Sequence, residues 1–252
     1  MKLVNFEDLP KCMKCDKVKE YYNILNKKRG QLFLKRVLDV IGSIFGIIVL
    51  SPIMLIIALW IKLDSKGPVL FKQVRITQYG KKFKIYKFRT MIVDAESKGS
   101  QVTTKNDSRI TRSGKILRKC RLDELPQIFN ILKGELSFVG TRPEVPKYVE
   151  RYKEEMKATL LLPAGVTSLT SIFYKDEERL ISKSDDVDKT YVEEILPEKM
   201  KLNLDSLRRF SIVEDFRIIF NTVYAIFISS NKEIVKDQQL SNDMEEYKSA
   251  KQ

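Results

Sequence analysis

The longest apolar stretch of the chain runs from Val40 to Ile61, 22 residues without a charge. At 1.5 Å per residue, a straight helix of that length measures about 33 Å, enough to cross the hydrocarbon core of a bilayer. The stretch exceeds the apolar centre of a secretory signal and is followed by Lys62 and Leu63 rather than small residues, so a cleaved signal fits badly. Ser51-Pro52 sits at its midpoint. Pro52 has no N–H for the carbonyl of Ile48, and its ring crowds that turn, while the Ser51 hydroxyl is expected on the carbonyl of Ile47. The halves 40–50 and 53–61 are each about 15 Å long, half of the bilayer core. Pattern alone leaves two arrangements open: a spanning helix kinked at proline, and a re-entrant helix that turns back there.

Beyond this segment the periodicity changes. Residues 69–76 and 82–88 alternate apolar and basic positions around Thr77-Gln-Tyr-Gly80, which predicts a β-hairpin. Val69, Phe71, Phe83, Ile85 and Phe88 are expected on one side, with Lys72, Lys84 and Lys87 facing headgroups or an anionic substrate. Helices are predicted from near Thr111, from Asp123, and from Pro143 towards Leu162, with Gly134 as the C-cap of the second. Residues 182–189 read as a polar loop, and the tail from Asn231 is predominantly polar. Phe210 to Ile228 has an apolar face (Phe216, Ile219, Phe220, Val223, Phe227), suited to packing on the domain or lying in a membrane interface.

Charge sharpens the picture. Residues 1–126 carry 27 basic and 11 acidic side chains, and residues 127–252 carry 19 and 22. A basic front half calls for a polyanion: nucleic acid, an anionic leaflet or phosphorylated small molecules. Both flanks of the apolar stretch are basic, with five basic residues and no acid in 26–36, and nine basic residues with one acid in 62–90. The positive-inside rule cannot choose between such ends, but both ends on the cytoplasmic face satisfy it. Beside a membrane segment, anionic headgroups account for Lys81-Lys82 at about 1 kcal/mol per residue, so nucleic acid is not the expected partner. The chain has no histidine, which excludes the Ser-His-Asp triad, His-ligated zinc and imidazole acid/base chemistry. Three cysteines fit a reducing compartment, and Cys12-Met-Lys-Cys15 has no second pair with which to hold zinc.

Candidate chemistry gathers between residues 87 and 143. Asp123-Glu124 precede Leu125-Pro126, where a first helical turn would hold both acids ionised. Around them in sequence lie Lys87, Arg89, Arg109, Arg112, Lys115, Arg118, Lys119, Arg121 and Arg142. Arginine is the bidentate partner of phosphate. A carboxylate among arginines suits phosphoryl transfer, either by attacking phosphorus or by holding Mg²⁺. Taken bare, an Asp-Glu pair at a helix start is also ordinary capping. Asp185-Asp-Val-Asp188 resembles the Asp-x-Asp of nucleotide-sugar glycosyltransferases, but its polar loop favours solvated turn residues.

Seven blocks then occur in order: Lys35–Asp39, Leu50–Pro52, Ile61–Phe71, Tyr86–Met91, Asp107–Thr111, Leu117–Gln127 and Leu132–Pro143. Over about residues 33–147 the chain closely resembles the bacterial sugar transferase family, the monotopic polyprenyl-phosphate phosphoglycosyltransferases. The resemblance implies transfer of a sugar-1-phosphate from a UDP-sugar to undecaprenyl phosphate, with release of UMP, at the start of surface-glycan assembly. It implies Asp123 as the nucleophile of a covalent phospho-sugar intermediate, Glu124 as the Mg²⁺ ligand, and Arg118 and Arg142 as phosphate-binding residues. Lys87 and Arg89 are assigned to the same phosphate site, and Ser51-Pro52 to the re-entrant break. Three departures stand out: Gly140-Thr-Arg-Pro143 replaces Gly-Pro-Arg-Pro, Lys119-Cys-Arg-Leu-Asp-Glu124 replaces Lys-Thr-Ser-Leu-Asp-Glu, and Pro163–Ser171 departs from the usual Pro-Gly-Ile-Thr-Gly run.

The expected architecture is α+β and mainly helical. It has an N-terminal extension (1–30), a re-entrant membrane helix (31–62), a cytoplasmic catalytic domain with a small β-hairpin and amphipathic helices (63–230), and a polar tail (231–252). It faces the cytoplasm from the inner leaflet of the cytoplasmic membrane. Neither the sugar nor the oligomeric state, a homodimer included, is fixed by sequence. The alternative class is a non-catalytic membrane-bound scaffold of a glycan-assembly complex.

Overall fold

The computed structural model describes residues 1–95, 107–174 and 187–227. The chain is mainly helical, with two two-stranded sheets. After α1 (Asp16–Asn26), the apolar stretch lies inside α2 (Arg29–Asp64), 36 residues and therefore about 54 Å long. The helix does not end at Ser51-Pro52. Pro52 leaves the Ile48 carbonyl without its N–H, and Ser51 Oγ donates to that same carbonyl at 3.0 Å, one residue on from the Ile47 acceptor expected. The orphaned acceptor is satisfied inside the helix, so the chain continues.

One stripe of α2 is buried: Leu32, Lys35, Asp39 and Ser43 in the first half, Met54, Ile57 and Ile61 in the second. The opposite face presents Phe45, Ile48, Leu55, Ile56 and Leu59 to the outside. Only 17% of the most apolar window is buried, and α2 is long and apolar enough to cross a membrane. The folded domain grips this helix along its length. Lys35 pairs with Asp215 at 2.5 Å, and Arg36 donates to the carbonyls of Ile131 and Leu132. Farther along, Asp64 accepts from the backbone and hydroxyl of Ser113. Between these ties Gly46 lets Ile128 approach so closely that a Cβ there would stand 2.5 Å from its Cδ1.

The hairpin forms as the alternation predicts, β1 (Leu70–Ile76) antiparallel to β2 (Lys82–Phe88), with Lys72 opposite Tyr86. Parity corrects one expectation: Lys87 shares the face of Phe83 and Ile85, whereas Phe88 lies on the other face and is buried against Met54, Ile57, Ile61 and Leu117. α3 (Arg112–Lys119) begins on Thr111, whose side chain caps Gly114 N. α4 (Gln127–Lys133) ends at Gly134 in the left-handed region, as its C-cap role requires. β3 (Leu136–Val139) then pairs in parallel with β4 (Ala164–Thr167), a pairing without a local sequence signal.

The helix expected from Pro143 to Leu162 is instead α5 (Pro146–Val149), a turn, and a 3-10 segment at Glu155–Leu161. The helical spacing of Val145, Tyr148, Tyr152 and Met156 is satisfied by one buried cluster without a continuous helix. α6 (Leu169–Phe173), α7 (Val187–Thr190), a π turn at Tyr191–Ile195, α8 (Leu196–Arg208) and α9 (Ile212–Phe227) complete the chain. Of the loop expected at 182–189, residues 187–189 are helical and the rest lies outside the described residues, as does the tail from Asn231. α9 buries Ile218 and turns Phe216, Phe220 and Val223 outward. The N-terminal residues join the main core, where Leu3, Met13, Val18 and Leu25 pack with Ala158, Leu161, Leu204 and Leu207.

Candidate active site

Asp123 and Glu124 do not start the α4 helix. They occupy a 3-10 turn, Leu122–Glu124, entered through Arg121 in the left-handed region (φ 54°), and α4 begins only after Pro126. The reversal at Arg121 aims the two acids at the end of β2 and at the loop after β3. Glu124 Oε1 accepts from Lys87 Nζ at 2.8 Å and from Arg142 Nη2 at 2.7 Å. Arg121 Nη1 stands 3.9 Å from Glu124 Oε2. Three regions distant in sequence thus converge: β2 supplies Lys87, the end of α3 and the adjoining 3-10 turn supply Arg118 and the acids, and the loop after β3 supplies Arg142.

The environment separates the two carboxylates. Burial pushes the Asp123 carboxyl up and Glu124 repels its charge, against the pull of Lys87, Arg118 and Arg142; the balance lies above the usual aspartate range. Burial would also raise Glu124, but Arg142 and Lys87 outweigh it and hold this carboxyl well below the glutamate range. Burial lowers the Lys87 ammonium, with Glu124 opposing. Glu124 is therefore a fixed anion held by cations, while Asp123, 8% exposed, is the more basic acid of the pair. Neighbouring carboxylates with opposed shifts divide roles between them.

Of the residues assigned to this site from sequence, Asp123, Glu124, Lys87, Arg118 and Arg142 come together. Arg89 does not share their contacts: its Nη2 donates to the Ser65 carbonyl at 2.7 Å and the Ser65 hydroxyl at 2.9 Å, at the C-terminus of α2. A cation there complements the helix dipole, and Arg89 ties α2 to the hairpin. Arg109 pairs with Asp107, and Asp188 is held by Lys147 and Tyr148, so neither is a loose ligand. Cys120 is exposed beside the dyad. Sequence reasoning gave no role to Asp64, which anchors the start of α3 and hence the arm bearing Arg118; only an acid just past an apolar stretch marked it.

Among the described residues, no group of three or more side chains is arranged to hold a metal ion. Magnesium needs less than that, because one or two carboxylates together with substrate phosphates suffice for this hard cation. Glu124 Oε2, with Arg121 no closer than 3.9 Å, fits that mode.

A family model described as bacterial sugar transferase matches residues 30–229. The UDP-N-acetylgalactosamine-undecaprenyl-phosphate N-acetylgalactosaminephosphotransferase of Aeromonas hydrophila is 34% identical over 197 residues, covering 77% of this chain and 44% of that protein. The UDP-glucose:undecaprenyl-phosphate glucose-1-phosphate transferase of Klebsiella pneumoniae is 37% identical, covering 79% and 41%. The exopolysaccharide production protein PSS of Rhizobium leguminosarum bv. phaseoli is 39% identical, covering 76% and 94%. The chain spans less than half the length of the first two relatives. With the match extending over α2, the acid pair and the arginine-bearing loop, the chain belongs to the bacterial sugar transferase family.

Proposed function

We propose that this chain transfers a sugar-1-phosphate from a UDP-sugar to undecaprenyl phosphate, releasing UMP, as the first step of a surface glycan. The observation that carries the reading is the adjacent acid pair in the turn Leu122–Glu124, where Glu124 accepts from Lys87 at 2.8 Å and from Arg142 at 2.7 Å beside the buried Asp123. The Asp123 carboxylate attacks the phosphorus bearing the sugar. The anhydride bond breaks, and its electron pair leaves with UMP. A phosphate oxygen of the lipid then attacks the same phosphorus, the bond to Asp123 breaks, and the carboxylate is restored. Neither step needs a proton shuttle, which suits a chain without histidine. Arg118 and Arg142 orient the donor phosphates, with geometry that favours bidentate contacts. Glu124 would hold Mg²⁺, whose charge would offset that of the donor phosphates.

The same reading places the enzyme on one leaflet with both ends of α2 on the cytoplasmic face. Support comes from the ties at the two ends of the helix. Arg36 and Asp64 are about 42 Å apart along a straight helix, yet they bind α4 and α3, two elements of one folded domain, and a crossing helix would separate those elements. It would put one of them beyond a core about 30 Å thick. The outward apolar face between them meets lipid. Single cysteines at positions 27 and 82, in a background without the native cysteines, should both resist an impermeant reagent in intact cells; labelling of one alone from outside excludes this topology.

Incubation with UDP-glucose, UDP-galactose or UDP-N-acetylgalactosamine, without lipid, should release about one UMP per site from the accepted donor. The protein should gain the mass of one sugar-phosphate. Asp123→Asn should do neither and lose turnover by a thousandfold or more, on the order seen when a covalent nucleophile is removed. An adduct on Asp123→Asn would refute the covalent route.

A further inference from the structure

Arg142 lies in a short segment, Gly140–Glu144, whose backbone is held on both sides. Gly140 N donates to the Thr167 carbonyl at 3.0 Å, and Gly165 N donates to the Thr141 carbonyl at 2.9 Å. On the hairpin side, Arg75 Nη1 donates to the Pro143 carbonyl at 3.1 Å, and Ile76 N donates to the Glu144 carbonyl at 3.0 Å. The side chain of Glu144 extends this grip to the C-terminal helices. Its Oε1 accepts from the Tyr191 hydroxyl at 2.6 Å and lies 3.5 Å from Lys199 Nζ, which itself donates to the Tyr191 hydroxyl at 2.9 Å. Glu144 and Lys199 are each 6% exposed.

Stability alone does not explain this triad. A buried ion pair contributes little over apolar packing of the same volume, because desolvation offsets the attraction. What it supplies is a fixed direction. Tyr191 opens the π turn Tyr191–Ile195, and its ring rests on Tyr148 at 4.6 Å between centroids. The π turn precedes Leu196-Pro197, where proline offers no N–H for regular helix bonding. Such turns are frequent where a helix serves a site. The segment so anchored reaches Glu124 through Arg142 Nη2 at 2.7 Å.

We infer that Tyr191 and Lys199, acting through Glu144, are positioning residues that set Arg142 to receive the donor phosphate. This rests on the transferase reading above. The C-terminal helices are then part of the donor clamp, although none of their residues touches the acid pair. The triad closes the loop against the domain, so that Arg142 meets the diphosphate already oriented.

A double-mutant cycle on the full chain, with the accepted UDP-sugar and undecaprenyl phosphate, tests the inference. Tyr191→Phe removes one hydroxyl without opening a cavity, and Lys199→Met keeps the volume while removing the charge. Either should raise the KM for the UDP-sugar about tenfold, within the coupling range of residues that share a network. The KM for undecaprenyl phosphate should stay unchanged. In an Arg142→Ala background the same substitutions should add less than about twofold, because the residue they orient is gone. Equal losses in both backgrounds, or a parallel rise in the lipid KM, would show a merely structural triad and overturn the inference. If the unmodified protein releases no UMP from any of the three donors, the transferase reading itself fails, and this inference with it.

Discussion

Glu124, whose side chain is 11% exposed, and the buried Glu144 both sit among cations, yet their surroundings differ in one respect. The partners of Glu124 are open on one side, with Arg142, Arg121 and Lys87 side chains 33%, 34% and 21% exposed. Glu144 and its partner Lys199 are closed off together. Around the acid pair, four cations (Lys87, Arg118, Arg121, Arg142) face two carboxylates, which leaves a positive excess able to accept a diphosphate. Around Glu144 every oxygen and ammonium contact points inward. Burial of an acid is therefore a poor mark of a substrate site, and the exposure of its counter-ions is a better one.

The strongest way to break this contrast is to remove each acid in turn. Glu144→Ala leaves Lys199 buried without its carboxylate, which should cost about 3–5 kcal/mol of stability. Denaturant unfolding reads that loss directly. Glu124→Gln should lose turnover and cost less stability than Glu144→Ala, because its partly exposed cations can turn to water. If Glu124→Gln is the less stable of the two, the open and closed descriptions are reversed.

Lys87→Met tests the electrostatics of the open site. Lys87 holds down the Asp123 carboxyl against burial, so its loss should raise that group further. In the proposed mechanism Asp123 attacks as the carboxylate, so the acid limb of the UMP-burst rate should move to higher pH, with the two acids titrating as one coupled pair. Stability has the opposite sense. Glu124, whose folded value is depressed below the unfolded one, stabilises above the ordinary range near 4.5 and loses that contribution as pH falls through its folded value. A burst profile unchanged in Lys87→Met would remove Lys87 from the site.

The smallest expected effect is the most diagnostic. Arg121 holds a left-handed backbone beside the dyad, a conformation glycine adopts without strain. Arg121→Gly should raise unfolding stability by about 0.5–1 kcal/mol while weakening UDP-sugar affinity, since strain kept at a site serves its geometry. If affinity also rises, Arg121 is no part of the open cation ring.

Much of the molecule was legible locally. The apolar stretch, the hairpin with its turn, the Thr111 cap and the Gly134 stop depend on residues within a few positions of one another, where period and capping act. Asp123, Glu124, Lys87 and Arg142, which the structure brings together, each lie in one of the ordered blocks of the sequence.

Other features depend on which surfaces meet, and short-range pattern does not encode that. The spacing of Val145, Tyr148, Tyr152 and Met156 asked for a helix, but three-dimensional packing met the same demand with broken turns. Arg89 turned from the expected phosphate site to the end of α2, where unpaired carbonyls were nearer. The Glu144–Tyr191–Lys199 triad joins segments with no common periodicity, as does the packing of the first thirty residues against α8. Sequence by itself determined the long apolar helix, the hairpin and the adjacent acids, because side-chain chemistry and near-neighbour bonding are local. Tertiary structure alone decided which cations face the acids and which are sealed away, because the distances and desolvation that separate Glu124 from Glu144 exist only after distant segments have packed.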